Sequence, residues 1–336
     1  MMREYLKLAR SFNAVLTGVS PVMGAIAMKQ FDIFYLLILF IIGFLGHTYG
    51  FVLNDILDYK IDKHSKELKD RPLVSGTISM KKAWAFALSS IIIAFVLAIY
   101  ITFTSQSFLP LLILVVSSSL VTLYDLISKK LPLTDIILAA AVFFLVLFGA
   151  TARIDSIIQL THLAWIVCLL GAIQVLFMNI VAGGLKDIEN DFKKGANTLA
   201  VKMGVRIIHQ KLHVSLGFGF VAYIIQIADI LFVFLTFYIV QEFTIYSALR
   251  YFQWALLGMI SILMLFFSHK LLTLKRFDRN KARKFICLHY YLNFALVPIM
   301  LMTLNPWAGI LVFFPALGFV LSNFILHGTL LQPKTM

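Results

Sequence analysis

Residues 33–62 read IFYLLILFIIGFLGHTYGFVLNDILDYKID. The stretch 33–53 contains no Asp, Glu, Lys or Arg, and about 20 such residues are what an α-helix needs to cross the hydrocarbon core of a bilayer. The acidic run Asn54-Asp55-x-x-Asp58-x-x-x-Asp62 then begins with no linker between. Asn54, Asp58 and Asp62 are spaced i, i+4, i+8, which predicts one helical face. Carboxylates at membrane depth cost roughly 3 kcal/mol each and usually serve function.

A second acidic pair, Asp187-x-x-x-Asp191, ends another apolar stretch, with Asn179 and Gly183 behind it at the same spacing. That pattern predicts a polar stripe with room for a ligand to approach. Hard oxygen donors from two helices, with a phosphate completing the shell, are what Mg²⁺ takes. The bland alternative is that Asp55, Asp58 and Asp62 are loop charges balancing Lys60, Lys63, Lys66 and Lys69. Their place directly after Phe51-Val52-Leu53 argues against it.

The rest of the 336-residue chain agrees with a membrane protein: 61% of the sequence is hydrophobic and 13% charged, where a soluble domain carries about 25% charged residues. Apolar stretches cover 12–28, 33–53, 83–103, 108–127, 133–150, 163–184, 212–240, 252–268, 285–304 and 307–326. The expected fold is therefore an all-α polytopic transmembrane bundle of nine or ten spans. Asn305-Pro306 makes the last pair either two spans or one span and a re-entrant piece. No long polar linker interrupts 1–336, which predicts a single domain with motif loops at 54–82 and 185–211.

The net charge of +13 is a matter of topology rather than of nucleic-acid binding. Basic residues gather in alternate loops, around 60–82, 129–130, 186–211 and 270–284. The positive-inside rule puts those loops and the N-terminus in the cytoplasm, against anionic lipid. The 270–284 loop, with Arg276, Arg279, Arg283 and Lys284, is accordingly expected to be mainly a lipid-facing charge belt; the sharper alternative is a site for a phosphorylated acceptor. Arg3, Lys7 and Arg10 before an apolar run mimic a signal peptide, but the first span leads straight into a second. Cys168 and Cys287 are expected to be buried thiols, and His47 a satisfied polar group within its helix.

The motifs resemble those of the UbiA superfamily of intramembrane prenyltransferases. Asn54-Asp55-Ile56-Leu57-Asp58-Tyr59-Lys60-Ile61-Asp62 is similar to its first acidic motif, Asp70-Arg71-Pro72-Leu73-Val74-Ser75-Gly76 to its R-P-L-x-S-G segment, and Lys186-Asp187-Ile188-Glu189-Asn190-Asp191 with Gly195 and Thr198-Leu199 to its second. Arg10-x-x-Asn13 and Tyr124 with Lys129 or Lys130 match further positions, although Arg10-Ser11 stands where members usually carry Arg-Pro. The resemblance covers roughly 10–205 and implies Mg²⁺-dependent transfer of an isoprenoid from its diphosphate to an aromatic, quinone-precursor acceptor or to a hydroxyl. It implies metal binding by Asn54, Asp58, Asp62, Asp187 and Asp191, and chemistry at Asp58, Asp191 and Tyr124. Asn13, Asp55, Arg71, Lys129, Asn179 and Lys186 are the implied substrate-binding residues. Phosphoribosyl transfer to polyprenyl phosphate on the same fold, or a cation-coupled transporter, are the alternatives. Transporters place coupling carboxylates near the midplane in broken helices, whereas these lie at helix ends.

Four spans separate the motifs, an even number that returns the chain to one side. In a background lacking Cys168 and Cys287, cysteines placed at Ser65, Ser128 and Thr198 should therefore react with a membrane-impermeant thiol reagent from the cytoplasmic side alone. Labelling of Thr198 from the other side would divide the two acidic motifs across the bilayer.

Overall fold

The computed structural model describes residues 1–64, 68–128, 131, 133–195, 197–243 and 248–330. Its helices are α1 (Met2–Leu8), α2 (Ser11–Ala27), α3 (Ile33–Asp62), α4 (Met80–Ser105), α5 (Leu109–Ile127), α6 (Asp135–Thr151), α7 (His162–Leu176) and α8 (Gly184–Lys194). After them come α9 (Leu199–Lys202), strands β1 (Arg206–Ile208) and β2 (Lys211–His213), α10 (Leu216–Ile239), α11 (Ala248–Leu272), α12 (Arg279–Leu301) and α13 (Phe313–His327). Among the described residues, 8 helical stretches are long and apolar enough to cross a membrane, and Ser11–Ala27 and Asp135–Thr151 are shorter apolar helices. Helix is what an apolar solvent enforces, because each backbone polar group must find its partner within the segment. The segment after Asn305 is one of the span-length stretches, Pro306–His327. The all-α polytopic expectation therefore holds.

The chain divides into two compact units. The first comprises Met1–Leu126, Phe144–Ala164 and Phe313–Met336. In it α2 packs against α3 and α13, and α3 against α4. Small residues set the closeness of this packing: a Cβ on Gly149 would lie 1.8 Å from the Pro21 carbonyl oxygen, and one on Gly24 would lie 2.1 Å from that of Val146. Without a hydrophobic drive between helices in lipid, such backbone approach is a main source of attraction. Leu8, Val52, Ile56, Leu73 and Ile78 form a core under the first acidic motif, while Ile92, Val96 and Phe103 of α4 face outward.

The second unit comprises Ile127–Phe143 and Trp165–Val312. There α11 packs on α12, and a π-helical turn, Phe177–Gly183, joins α7 to α8 without a break. Phe177, Val181, Leu185 and Ile188 along this helix share a core with Phe218, Leu271 and Ile286. A hairpin absent from the sequence expectation pairs Arg206 with His213 and Ile208 with Lys211. Its two turn residues, His209 and Gln210, have φ of 46° and 62°, the conformation a two-residue turn needs to match the strand twist. No Asn or Gly marked that turn, which hid it from sequence. The Gln210 carbonyl accepts the Phe277 N–H at 2.8 Å, fastening the hairpin to the loop before α12.

The close approach of α2 and the 144–151 part of α6 predicts that Gly149→Ala destabilises the protein, by about 1–3 kcal/mol for an overpacked site. Gly46 of α3 has nothing within 4 Å of an added Cβ, so Gly46→Ala should be neutral or stabilising by up to about 1 kcal/mol. Thermal unfolding in detergent separates the two; equal midpoints would remove the packing argument.

Candidate active site

The first acidic motif occupies the last two turns of α3, and the structure answers its charges with arginines. Asp55, Asp58 and Asp62 are all buried. Asp55 accepts hydrogen bonds from Arg10 Nη2 at 2.7 Å and Arg71 Nη1 at 3.2 Å, and the same Arg71 nitrogen donates to Asp62 at 2.5 Å. Arg10 sits between α1 and α2 in the left-handed region, φ 46°, a conformation uncommon for a non-glycine residue. Its guanidinium also lies 4.7 Å from the Phe51 ring centroid. Arg71 is presented by the turn after the motif, in which Ser75 N–H donates to the Arg71 carbonyl at 2.8 Å and Ile78 N–H to that of Pro72 at 3.1 Å. Burial presses the Arg71 guanidinium below its ordinary range and neighbouring Arg10 adds to this, while Asp55, Asp62 and Asp58 pull it back up.

These contacts correct the expected straight stripe of Asn54, Asp58 and Asp62. Eight residues of α-helix drift by about 80°, whereas seven return to within about 20°. Asp62 therefore shares a face and an arginine with Asp55, while Asn54 turns toward α5 and donates to Asp125 Oδ1 at 3.2 Å. Sequence reasoning missed Asp125, an acid inside an apolar span and thus open to notice. Its Oδ2 is buried with no hydrogen-bond partner.

In the second unit, Asp187 on α8 accepts from Arg279 Nη2 at 3.1 Å, and Lys186 Nζ lies 3.4 Å from its other oxygen. The π turn lies directly before this motif. In an unbroken α-helix Asn179 and Asp187 would drift about 80° apart, and the wider π turn takes up part of that drift. Asn179 is half-buried and its Nδ2 is without a hydrogen-bond partner. Asp191 is half-buried one turn beyond Asp187. Arg279 is expected from sequence in a mainly lipid-facing belt or, alternatively, in a site for a phosphorylated acceptor; Lys275, Arg276, Lys281 and Lys284 are exposed, whereas Arg279 is half-buried against Asp187 and Arg283 is buried. A positive-inside count reports the number of charges in a loop and not their direction.

Tyr124 on α5 and Asn13 in the first turn of α2 are half-buried in the first unit. Lys129 lies outside the described residues. His47 bonds Thr17 through Nδ1 at 2.8 Å while its Nε2 has no partner, so it is only half satisfied. Cys168 and Cys287 are free thiols, the first buried and the second half-buried. A further intramembrane polar group went unnoticed in sequence: His289 Nε2 and Gln226 Oε1 are 3.4 Å apart, Gln174 donates to the Asn293 carbonyl at 3.0 Å, and both oxygens of buried Asp229 lack partners.

No group of three His, Cys, Asp or Glu side chains is gathered as a metal cage among the described residues. Mg²⁺ does not require one, since it is usually held by one or two carboxylates together with water and substrate phosphate. The hard oxygens of Asn54, Asp58 and Asp125, one of them an orphaned carboxylate oxygen, fit that habit.

The sequence profile of the UbiA prenyltransferase family matches residues 15–293. Digeranylgeranylglyceryl phosphate synthase of Methanobrevibacter smithii is 27% identical over 211 residues, 61% of this chain and 71% of that one. Among solved structures, the apo UbiA homolog from Aeropyrum pernix K1 superposes with a TM-score of 0.68 at 14% identity, over 87% of this chain and 98% of that one. A UbiA homolog from Archaeoglobus fulgidus bound to GPP and Mg²⁺ gives 0.60 at 15% identity, over 88% and 99%.

Arg71→Ala would leave Asp55 and Asp62 buried without their shared counter-charge. A broken buried pair costs about 3–5 kcal/mol, so the unfolding midpoint in detergent should fall sharply. Arg71→Lys should recover only part of it, because an ammonium lacks the planar fork. An unchanged midpoint in Arg71→Ala would remove the ion-pair role.

Proposed function

The chain belongs to the UbiA prenyltransferase family, and from that premise we propose that it moves an isoprenoid chain from a prenyl diphosphate to a hydroxyl of a glyceryl phosphate lipid. One observation carries this reading: buried oxygen donors and guanidiniums lie together at the end of an apolar helix. Such a place suits a ligand whose head is a metal-bound anion and whose tail is hydrocarbon. The acceptor class is supported by relatives named for digeranylgeranylglyceryl phosphate, a product that arises when a second geranylgeranyl chain joins geranylgeranylglyceryl phosphate. It takes precedence over the aromatic acceptor. Membership of a prenyltransferase family sets the transporter reading aside.

In this proposal Asn54, Asp58, Asp187 and Asp191 hold Mg²⁺, with Asp125 beside Asn54, and the ion when bound neutralises the diphosphate and makes it a better leaving group. Asp62, expected in that set, instead fixes Arg71. Arg71, Lys186 and Lys129 bind phosphate oxygens. Asp55 orients Arg10 and Arg71, and Asn13 and Asn179 offer polar contacts to the head group. The C1–O bond of the donor breaks with its electron pair on the diphosphate, the acceptor oxygen bonds C1, and the hydroxyl proton leaves with the diphosphate. Tyr124 presents a ring face to the allylic cation, and the apolar surroundings keep water from it. The 336 residues act as one functional domain, with its N-terminus and both motif loops cytoplasmic; the basic residues of those loops support that orientation.

Turnover in membranes supplied with geranylgeranyl diphosphate and geranylgeranylglyceryl phosphate should cease in EDTA and return with Mg²⁺; full activity in chelator would sink the metal role. Asp58→Ala and Asp191→Ala should each lower activity at least ~100-fold, and the double variant should be little worse than either, as expected of residues acting as a unit. Multiplicative losses would assign them separate tasks.

A further inference from the structure

The beginning of α12 holds two guanidiniums that face inward one turn apart. Arg283 is 4% exposed. Its Nη1 donates to Asn280 Oδ1 at 3.2 Å, and its Nε has no partner. Among the described residues no carboxylate pairs with it, and its charged neighbour is another cation, Arg279. An uncompensated guanidinium out of water is costly, and its fork matches a phosphate or carboxylate. The helix terminus does not supply the reason for this arrangement, because Asp278 already caps it, accepting from Asn280 N–H at 2.9 Å and Lys281 N–H at 3.4 Å.

We infer that Arg283, with Arg279 beside it, seats the phosphate monoester of the acceptor and so selects phosphorylated over unphosphorylated lipid. The inference rests on the lipid-acceptor reading above and assigns that substrate's phosphate to named residues. Position favours this source over bulk anionic lipid. In a glyceryl phosphate the nucleophilic hydroxyl and the phosphate share one three-carbon unit, so the phosphate must bind close to the carbon that leaves the diphosphate. Arg279 satisfies that demand by reaching Asp187, a residue proposed to act on the diphosphate, at 3.1 Å. Exposed Lys275, Arg276, Lys281 and Lys284 of the same segment remain free to meet lipid head groups.

The test uses the purified full chain in lipid nanodiscs, with geranylgeranyl diphosphate as donor and either geranylgeranylglyceryl phosphate or geranylgeranylglycerol as acceptor. Arg283→Gln should raise KM for the phosphorylated acceptor about 10- to 100-fold, the loss of charge-assisted hydrogen bonds, with donor KM and the KM for geranylgeranylglycerol within about twofold. Arg283→Lys should recover part of the loss. A rise in donor KM instead would assign the pair to the diphosphate, and an equal rise for both acceptors would make Arg283 structural; either outcome overturns the inference. Wild-type protein that alkylates neither acceptor would overturn the lipid-acceptor reading itself. Should Arg283→Gln fail to fold, the wild-type chain still decides. In EDTA without donor, geranylgeranylglyceryl phosphate should raise its unfolding midpoint more than geranylgeranylglycerol does, and equal shifts would overturn the inference.

Discussion

A carboxylate surrounded by hydrocarbon has to be met with positive charge, a proton or a metal, and much of this molecule is arranged around that requirement. In the first unit Arg10 and Arg71 converge on Asp55, and Arg71 extends to Asp62. Each arginine is held by a local backbone feature: Arg10 by a left-handed residue between two helices, Arg71 by the turn through Ser75 and Ile78. In the second unit Asp187 draws Arg279 and Lys186. Two of these pairings, Arg10 with Asp55 and Arg279 with Asp187, join residues far apart in sequence, so each unit must fold before those pairs exist.

That distance explains which parts of the protein were legible in its sequence. Hydropathy along residues 33–53 defines a helix whatever its neighbours do, and the acidic spacing after it marks chemistry without any structure. Among the partners of Asp55 and Asp187, Arg10 lies 45 residues away and Arg279 lies 92 away; no local pattern encodes either of these pairings. The helical phase of Asp62 was misjudged for a simpler reason. An i, i+8 spacing looks like a stripe on paper, but its drift over two turns is enough to turn a side chain toward another partner. The hairpin at 206–213 was hidden because His209 and Gln210 take conformations that sequence rules reserve for Asn and Gly.

The π turn at Phe177–Gly183 shows how a small backbone departure can serve a site. An extra residue per turn weakens backbone hydrogen bonding, which in lipid has no water to fall back on. It survives here because Phe177, Ile180, Val181 and Ala182 are buried in the core of the second unit, where packing supports the distorted turn. The effect is to re-phase α8, the helix that carries the second acidic motif. Single-turn π departures inside α-helices are frequent at functional sites for this reason.

Counting Lys and Arg together, as the positive-inside rule does, merges two populations that the structure separates. Lys60, Lys63, Lys69, Lys81, Lys82, Lys275, Lys281 and Lys284 are exposed, while Arg10, Arg71, Arg279 and Arg283 turn inward. The physical difference is that guanidinium is more weakly hydrated than ammonium and offers a planar fork, so it loses less on leaving water and gains more from a carboxylate or phosphate. Lys186 is the inward exception, and it lies against Asp187, where a point charge suffices. Arg206, on the hairpin, and Arg276, among the lysines of the 270–284 loop, are exposed instead. In a polytopic chain, then, an inward-turned arginine in a loop of exposed lysines poses a different question from its neighbours: the lysines bear on topology, and the buried arginine asks which anion it meets.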